Sequence, residues 1–206
     1  MEKPADTQYP IHELLQRRWS PRAFSARPVE PETLRSLWEA ARLAPSSYNE
    51  QPWAFLIATK QDHTEYAKLL SCLMEGNVQW AQQAPVLMVS VAKLSFEENG
   101  KPNRHAFHDV GLAVANLVTQ ATVLGLAVHQ MAGIYPDKVR ELYGIPEKHE
   151  PVAGIVLGYP GDPESLPEGL RERELAPRER KPLAEFVFAG RWGRTCPLVS
   201  IEPLRL

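Results

Sequence analysis

The chain has 206 residues, 44% of them hydrophobic and 23% charged, with 23 basic and 25 acidic side chains for a formal net charge of −2. That is enough chain for a sizeable core without metal or disulfide staples, and the charge is too balanced for bulk attraction to nucleic acid or an anionic membrane. Two cysteines, Cys72 and Cys196, exclude a disulfide framework and a zinc ligand set.

Nineteen prolines, about twice the usual share of ~5%, fall mostly between elements and act as punctuation. Residues 11–18 read as a short helix that stops before Ser20-Pro21, because the residue before proline avoids helical dihedrals. Residues 31–43 form an amphipathic helix: Pro31 suits the first helical position, and Leu34, Leu37, Trp38 and Ala41 share one face. A loop follows at Pro45-Ser46-Ser47-Tyr48-Asn49. Residues 53–59 predict a strand, 61–72 a polar helix, and 85–92 a strand buried on both faces. Beyond a polar loop over 93–103, the longest helix spans 104–124. It has almost no polar side, so it belongs in a core or at a subunit interface, and Gly125 ends it. A short strand (126–131), a short helix (137–143) and another buried strand (152–159) come next. From residue 160, Pro, Glu and Arg dominate, and this segment has no core of its own. The expectation is one domain over 1–206, of α+β class, with a mixed sheet flanked by helices, a central buried helix and an extended C-terminal arm over 160–206. The first six residues lack the apolar run of a signal peptide, and 85–92 is too short to cross a bilayer, so a cytoplasmic protein is expected.

Two clusters carry chemistry. Arg17-Arg18-Trp19-Ser20-Pro21-Arg22 places three cations and a hydroxyl where a helix gives way to extended chain. Guanidiniums and a hydroxyl hold phosphate through charge-assisted bonds; a solvated basic turn has the same composition. Residues 44–53 set small hydroxyl and carboxamide residues between a helix and a strand, fenced by prolines. Such groups serve a heterocycle that approaches the backbone, or bond their own backbone as in any turn.

In order along the chain, Arg-x-Ser-x-Arg-x-Phe over 18–24 and then Pro45-Ser46-Ser47-x-Asn49-x-Gln51-Pro52-Trp53 resemble the nitroreductase family of flavin enzymes. Asn77 and Trp80 before Ala84-Pro85, Asp109-x-Gly111 with Asn116, Met131-Ala132-Gly133, Gly144-Ile145-Pro146-Glu147, Leu157-Gly158-Tyr159-Pro160, and Arg178 and Arg180 before Lys181-Pro182-Leu183 extend the pattern over residues 10–193. The resemblance implies a domain-swapped homodimer with FMN in each of two interface sites. It implies NAD(P)H as transient electron donor and a nitroaromatic, quinone or similar small molecule as acceptor, in ping-pong order.

Residue by residue, Arg18 and Ser20, with Trp19 between them, match phosphate- or ribityl-binding positions. Arg22 matches the basic residue near flavin N1 and O2. Pro45, Ser46, Ser47 and Asn49, with Gln51 beside them, match the loop that the partner subunit lays against the isoalloxazine. Asn77 matches the flavin's polar edge, Ala132 and Gly133 after Met131 match amides beside N5 and O4, and Arg178 and Arg180 match a C-terminal phosphate clamp. His105 and Phe107 are expected on the substrate rim. No side-chain acid or base is implied. Trp80 stands where the best-studied branch has a lysine, which places this short chain among the smaller members. A specialised flavin enzyme, dehalogenase-like or flavin-consuming, and a flavin-binding sensor or carrier of low turnover are the competing readings. No G-x-G-x-x-G follows a strand, so no separate nicotinamide domain is expected. His105-x-x-His108-Asp109 reads as a helix start or pocket rim before it reads as a metal site, and Cys72 as a packed residue.

Overall fold

The computed structural model describes residues 3–199. Its sheet contains β1 (Trp53–Thr59), β2 (Val86–Lys93), β3 (Ala127–Met131) and β4 (His149–Gly158) in the order β1-β2-β4-β3. β2 is apolar on both sides: Leu87, Val89 and Val91 enter one core, Val86, Met88 and Ala92 the other. A strand of that kind needs cover on both faces, and the helices provide it. α1 (Glu13–Arg17) is a single short turn, while α2 (Pro31–Arg42), α3 (His63–Leu70), α4 (Glu75–Ala81), α5 (Ala106–Val123) and α6 (Pro136–Tyr143) pack around the sheet. Leu34, Leu37 and Ala41 of α2 join α5 over one face; Tyr66 and Leu69 of α3, Trp80 of α4 and Val139 of α6 fill the other.

The sheet is antiparallel in every pair, which corrects the expected mixed sheet. Alternating helices and strands suggested crossover connections, and one is present. β2 and β3 run in the same direction across α5, but β4 returns between them, so each neighbour is antiparallel. Two helices escaped the sequence reading. α4 is only seven residues long; the Tyr66 hydroxyl fixes the turn after it by donating to the carbonyls of Ala81 (3.2 Å) and Ala84 (2.6 Å). α7 (Glu168–Leu175) lies in the Pro/Glu/Arg-rich segment; its leucines, half-buried Leu170 and exposed Leu175, make no apolar stripe, and Glu174 is its buried residue. Without an apolar stripe there is no periodicity to read.

The long helix is covered on one side within a single chain. α5 sends Ala106, Val110, Ala113, Val114, Leu117 and Ala121 inward, whereas Phe107, Gly111, Ala115 and Val123 stay exposed. The sheet covers only one side of it, so within one chain the helix is half-buried. Residues 21–25 lie alongside the segment that leaves β4. The Gly161 N–H donates to the Ala23 carbonyl and the Ser25 N–H to that of Tyr159. Approach is so close that a Cβ on Gly161 would sit 2.6 Å from the Phe24 carbonyl carbon. The arm beyond, described as far as residue 199, leaves Phe186 and Trp192 exposed. No helix among the described residues is long and apolar enough to cross a membrane.

Candidate functional site

The basic cluster begins where α1 ends. Arg18 donates from Nη1 to the Ser20 hydroxyl at 3.3 Å. Burial, and then the charge of Arg180, hold its pKa below the usual arginine range. No carboxylate among the described residues forms an ion pair with Arg18 or Arg180. They line a cleft of about 1020 Å³ with Lys181, Tyr9, Leu15 and Phe186. Like charges that sense each other repel, and since Asp6 and Glu179 in the same cleft pair with neither guanidinium, the arrangement suits an anionic group that would neutralise both. Arg178 has a further post. Its Nη1 donates to the carbonyls of Lys3 (2.8 Å) and Gln16 (2.7 Å), and its Nη2 to that of Arg18 (2.8 Å). A cation here caps the carbonyl end of α1. Both expected arginines line the cleft with Arg18, and Arg178 in addition holds backbone; burial, and then the charges of Arg18 and Arg180, lower its pKa.

The next residues are anchored from two sides. Glu174 accepts the N–H groups of Arg22 and Ala23. On the other side, Nδ1 of His129 lies 2.8 Å from the Pro21 carbonyl, and its ring tilts over Trp80 at 4.5 Å. Burial, assisted by the charge of Arg22, pushes the His129 pKa down to about 4. The ring is thus neutral near pH 7 and donates its Nδ1–H to the carbonyl. Trp80, 2% exposed, is sandwiched between His129 and Phe24, whose ring stacks at 6.3 Å. Where the sequence comparison set a lysine beside the flavin, this chain has a core post that supports residues 21–24 from behind.

Asn77 acts on Gly133. Its Nδ2 donates to the Gly133 carbonyl at 2.9 Å, which also accepts the Met74 N–H at 3.0 Å. A Cβ at position 133 would lie 2.4 Å from that Nδ2, so a side chain there would displace the Asn77 carboxamide from its bond. Met131 is buried in the core and Ala132 is exposed.

The loop over 45–51 is shaped by its backbone. Tyr48, Asn49 and Gln51 have φ values of 54°, 57° and 51°; a left-handed conformation costs about 1–2 kcal/mol at a residue other than glycine, less for asparagine. Hydrogen bonds hold this shape. The Ser46 hydroxyl accepts the Gln51 N–H (3.0 Å), Asp109 Oδ2 accepts the Ser47 N–H (3.0 Å), and the Gln51 carboxamide donates to the Asn49 carbonyl (3.0 Å). Asp109 is 2% exposed, on an otherwise apolar face of α5. Tyr48 is 92% exposed and meets Phe96 edge-on at 5.8 Å. Glu50 accepts the Glu97 N–H at 2.7 Å, tying the polar loop over 93–103 to this one. His105 and Phe107 are exposed at the start of α5, near Asp109.

The candidate residues therefore form two groups. Residues 18–23, Asn77, 131–133 and the arm are one connected set, and residues 45–51 with the start of α5 are the other. No hydrogen bond, ion pair or ring contact among the described residues joins them. Glu174 and His129 were not found from the sequence, since each acts on backbone far away in the chain. Asp109 did leave a signal, as a carboxylate on a buried helix face.

The nitroreductase family model matches residues 15–159. The chain belongs to that family. Over 150 residues it is 31% identical to a putative NADH dehydrogenase/NAD(P)H nitroreductase of Archaeoglobus fulgidus, covering 70% of this chain and 82% of that one. It is 28% identical over 158 residues to an FMN reductase [NAD(P)H] of Bacillus subtilis, covering 68% of this chain and 62% of the relative. Among solved structures, an oxidoreductase containing FMN superposes with a TM-score of 0.86 at 38% identity, over 91% of this chain and 96% of that one.

Proposed function

We propose that this nitroreductase-family chain is an FMN-dependent NAD(P)H oxidoreductase that reduces nitroaromatic, quinone or similarly electron-poor acceptors, and that it works as a homodimer. The observation that carries the reading is Arg18 and Arg180 lining one cleft, neither of them in an ion pair among the described residues although Asp6 and Glu179 also line it. A phosphate dianion fits that pair, with the Ser20 hydroxyl as a further donor. Arg22, whose guanidinium forms no ion pair among the described residues, offers a fixed positive charge to the ring's pyrimidine edge. Asn77 orients the peptide at Gly133, and Ala132 and Gly133 would supply backbone to the ring. When bound, FMN supplies hydride acceptance from a nicotinamide and donation to the acceptor. No side chain is assigned as acid or base. Donor and acceptor use the same mouth in turn, between His105 and Phe107, which gives ping-pong kinetics.

The dimer is supported by what one chain leaves open. The exposed side of α5, the exposed Phe186 and Trp192 of the arm, and the separation of the site into two groups all point to a second copy. In that assembly residues 45–51 of one subunit complete the ring-binding half of the other.

The test is an absorbance spectrum of the purified protein with identification of the released chromophore, followed by NAD(P)H oxidation on adding nitrofurazone or menadione. Bound FMN and turnover of both acceptors are expected. A colourless protein that FMN cannot reconstitute overturns the reading; a flavin-loaded protein that turns over neither acceptor reassigns it as a carrier or sensor. Sedimentation of a stable flavin-loaded monomer removes the dimer.

A further inference from the structure

Glu174 and Asp109 are the acidic residues buried among those described, and Glu174 is 1% exposed. A carboxylate taken out of water is unfavourable unless donors surround it. Glu174 has them. Its Oε1 accepts the N–H groups of Arg22 (3.0 Å) and Ala23 (3.1 Å), and its Oε2 accepts the Arg22 N–H at 2.9 Å. Successive backbone N–H groups turned toward one anion make a concavity of the kind that captures phosphate. Here the anion comes from the same chain, 152 residues away from Arg22.

The donor of that carboxylate matters as much as its target. Glu174 is the buried residue of α7, whose apolar contact with the core is the half-buried Leu170. It precedes Arg178 and Arg180 by less than two helical turns of sequence. The Glu174 carbonyl accepts Lys3 Nζ at 2.5 Å, and Arg178 reaches back to the carbonyls of Lys3, Gln16 and Arg18. Arg18 and Arg180 repel each other, and burial adds to the strain on Arg18. Some contact has to keep the arm beside residues 18–23 before any ligand arrives.

We propose that Glu174 is the positioning residue of the phosphate end: its carboxylate locks residues 22–23 to the arm and so holds Arg18, Ser20 and Arg22 in register with Arg180. The proposal rests on the FMN reading above. Glu174 does not line the cleft, so it acts through the backbone and not on the ligand. Removing its charge leaves buried N–H groups short of an acceptor and frees α7, and the cation set disperses.

The experiment compares wild type, Glu174→Gln and Glu174→Asp as full chains. The glutamine keeps the volume and one acceptor oxygen; the aspartate keeps the charge but retracts by one methylene. Three quantities are read: FMN dissociation constant by fluorescence quenching, tryptic cleavage after Arg178 and Arg180 in flavin-free protein, and the rate of NAD(P)H oxidation at saturating FMN. Glu174→Gln is expected to weaken FMN at least tenfold and to speed arm cleavage severalfold, while the rate at saturation changes less than twofold. Glu174→Asp recovers part of the affinity. Unchanged affinity and cleavage in Glu174→Gln overturn the proposal, as does a saturated rate that falls as far as the affinity does. If Glu174→Gln fails to fold, Glu174→Asp decides, since a clasp with a shortened reach still loosens the arm and weakens FMN in a folded protein. If wild type takes up no FMN, the oxidoreductase reading falls, and the cleavage comparison alone decides whether Glu174 tethers the arm.

Discussion

Residues 18–23 and residues 45–51 both end in the grip of a buried carboxylate, Glu174 for the first and Asp109 for the second, yet they are made differently. Residues 18–23 have no left-handed backbone, and their chemistry sits on charged side chains. The loop over 45–51 carries no cation, and three of its residues are held at positive φ. A phosphate is recognised by charge at the ends of long side chains, which can swing, so what must be fixed is the backbone from which they start. A flat heterocycle is recognised by backbone and short side chains at contact distance, so the backbone shape itself carries the information, and strain is tolerated to keep it.

The sharpest test of that contrast is Arg18→Ala. Losing a charge-assisted bond to phosphate should weaken FMN by about 1–3 kcal/mol, read by fluorescence titration. The flavin-free protein should melt no lower than wild type, because the substitution also removes the repulsion with Arg180. A fall in both together would mean that Arg18 is structural. Asp109→Ala makes the opposite case. The Ser47 N–H loses its acceptor, so stability should drop by about 1–3 kcal/mol in urea unfolding, whereas the arm stays as resistant to trypsin as in wild type. A variant of wild-type stability would show that the strained loop holds itself.

Acid should act on the first stretch through His129. His129 is pushed down to about 4 in the fold from an ordinary 6.5. Between those values the unfolded chain takes up a proton and the native protein does not. The stabilisation is therefore complete above about pH 6.5 and is lost as pH falls toward 4; with allowance for partial exposure it amounts to about 1–2 kcal/mol. Unfolding measured at pH 7 and pH 4.5 should give a smaller difference for His129→Gln than for wild type. The smallest effect belongs to Tyr48→Asn. Asparagine accepts left-handed dihedrals more readily, so stability should rise by about 0.5–1 kcal/mol while the affinity for aromatic acceptors falls. A variant with unchanged kinetics toward every acceptor would place Tyr48 outside the mouth.

Much of the frame was legible because periodicity reports which faces are apolar. The strand at 53–59, the doubly buried strand β2 and the long helix α5 follow from that alone. The same signal could not report that only one side of α5 is covered within a single chain, nor that β4 returns between β2 and β3. It was silent on α7, which offers the core only a half-buried Leu170 and is otherwise anchored through Glu174. At the site, residues 18–22 and 45–51 stood out only as members of an ordered set of motifs, since a basic turn or a hydroxyl-rich turn alone has the same composition. What anchors them was hidden. Glu174 and His129 act on backbone N–H and carbonyl groups 152 and 108 residues away, and every residue has such groups, so no side-chain pattern marks the target. The hold of Arg178 on backbone was missed for the same reason: its partners are three carbonyls.

The seam between Lys3 and residues 174–178 has a practical consequence. Its contacts tie positions 171 and 175 residues apart, closing the chain into a ring with no covalent bond; closure entropy grows only with the logarithm of loop length, so so long a span is little harder to close than a medium one. The residues that follow Lys3, Ala5 to Tyr9, form one wall of the cation-lined cleft. A purification tag fused at the N-terminus thus begins within a few residues of the Lys3 carbonyl that Arg178 holds. Protein carrying such a tag should retain less flavin through chromatography than protein from which it has been cleaved. Where the tag is placed becomes a variable of the measurement.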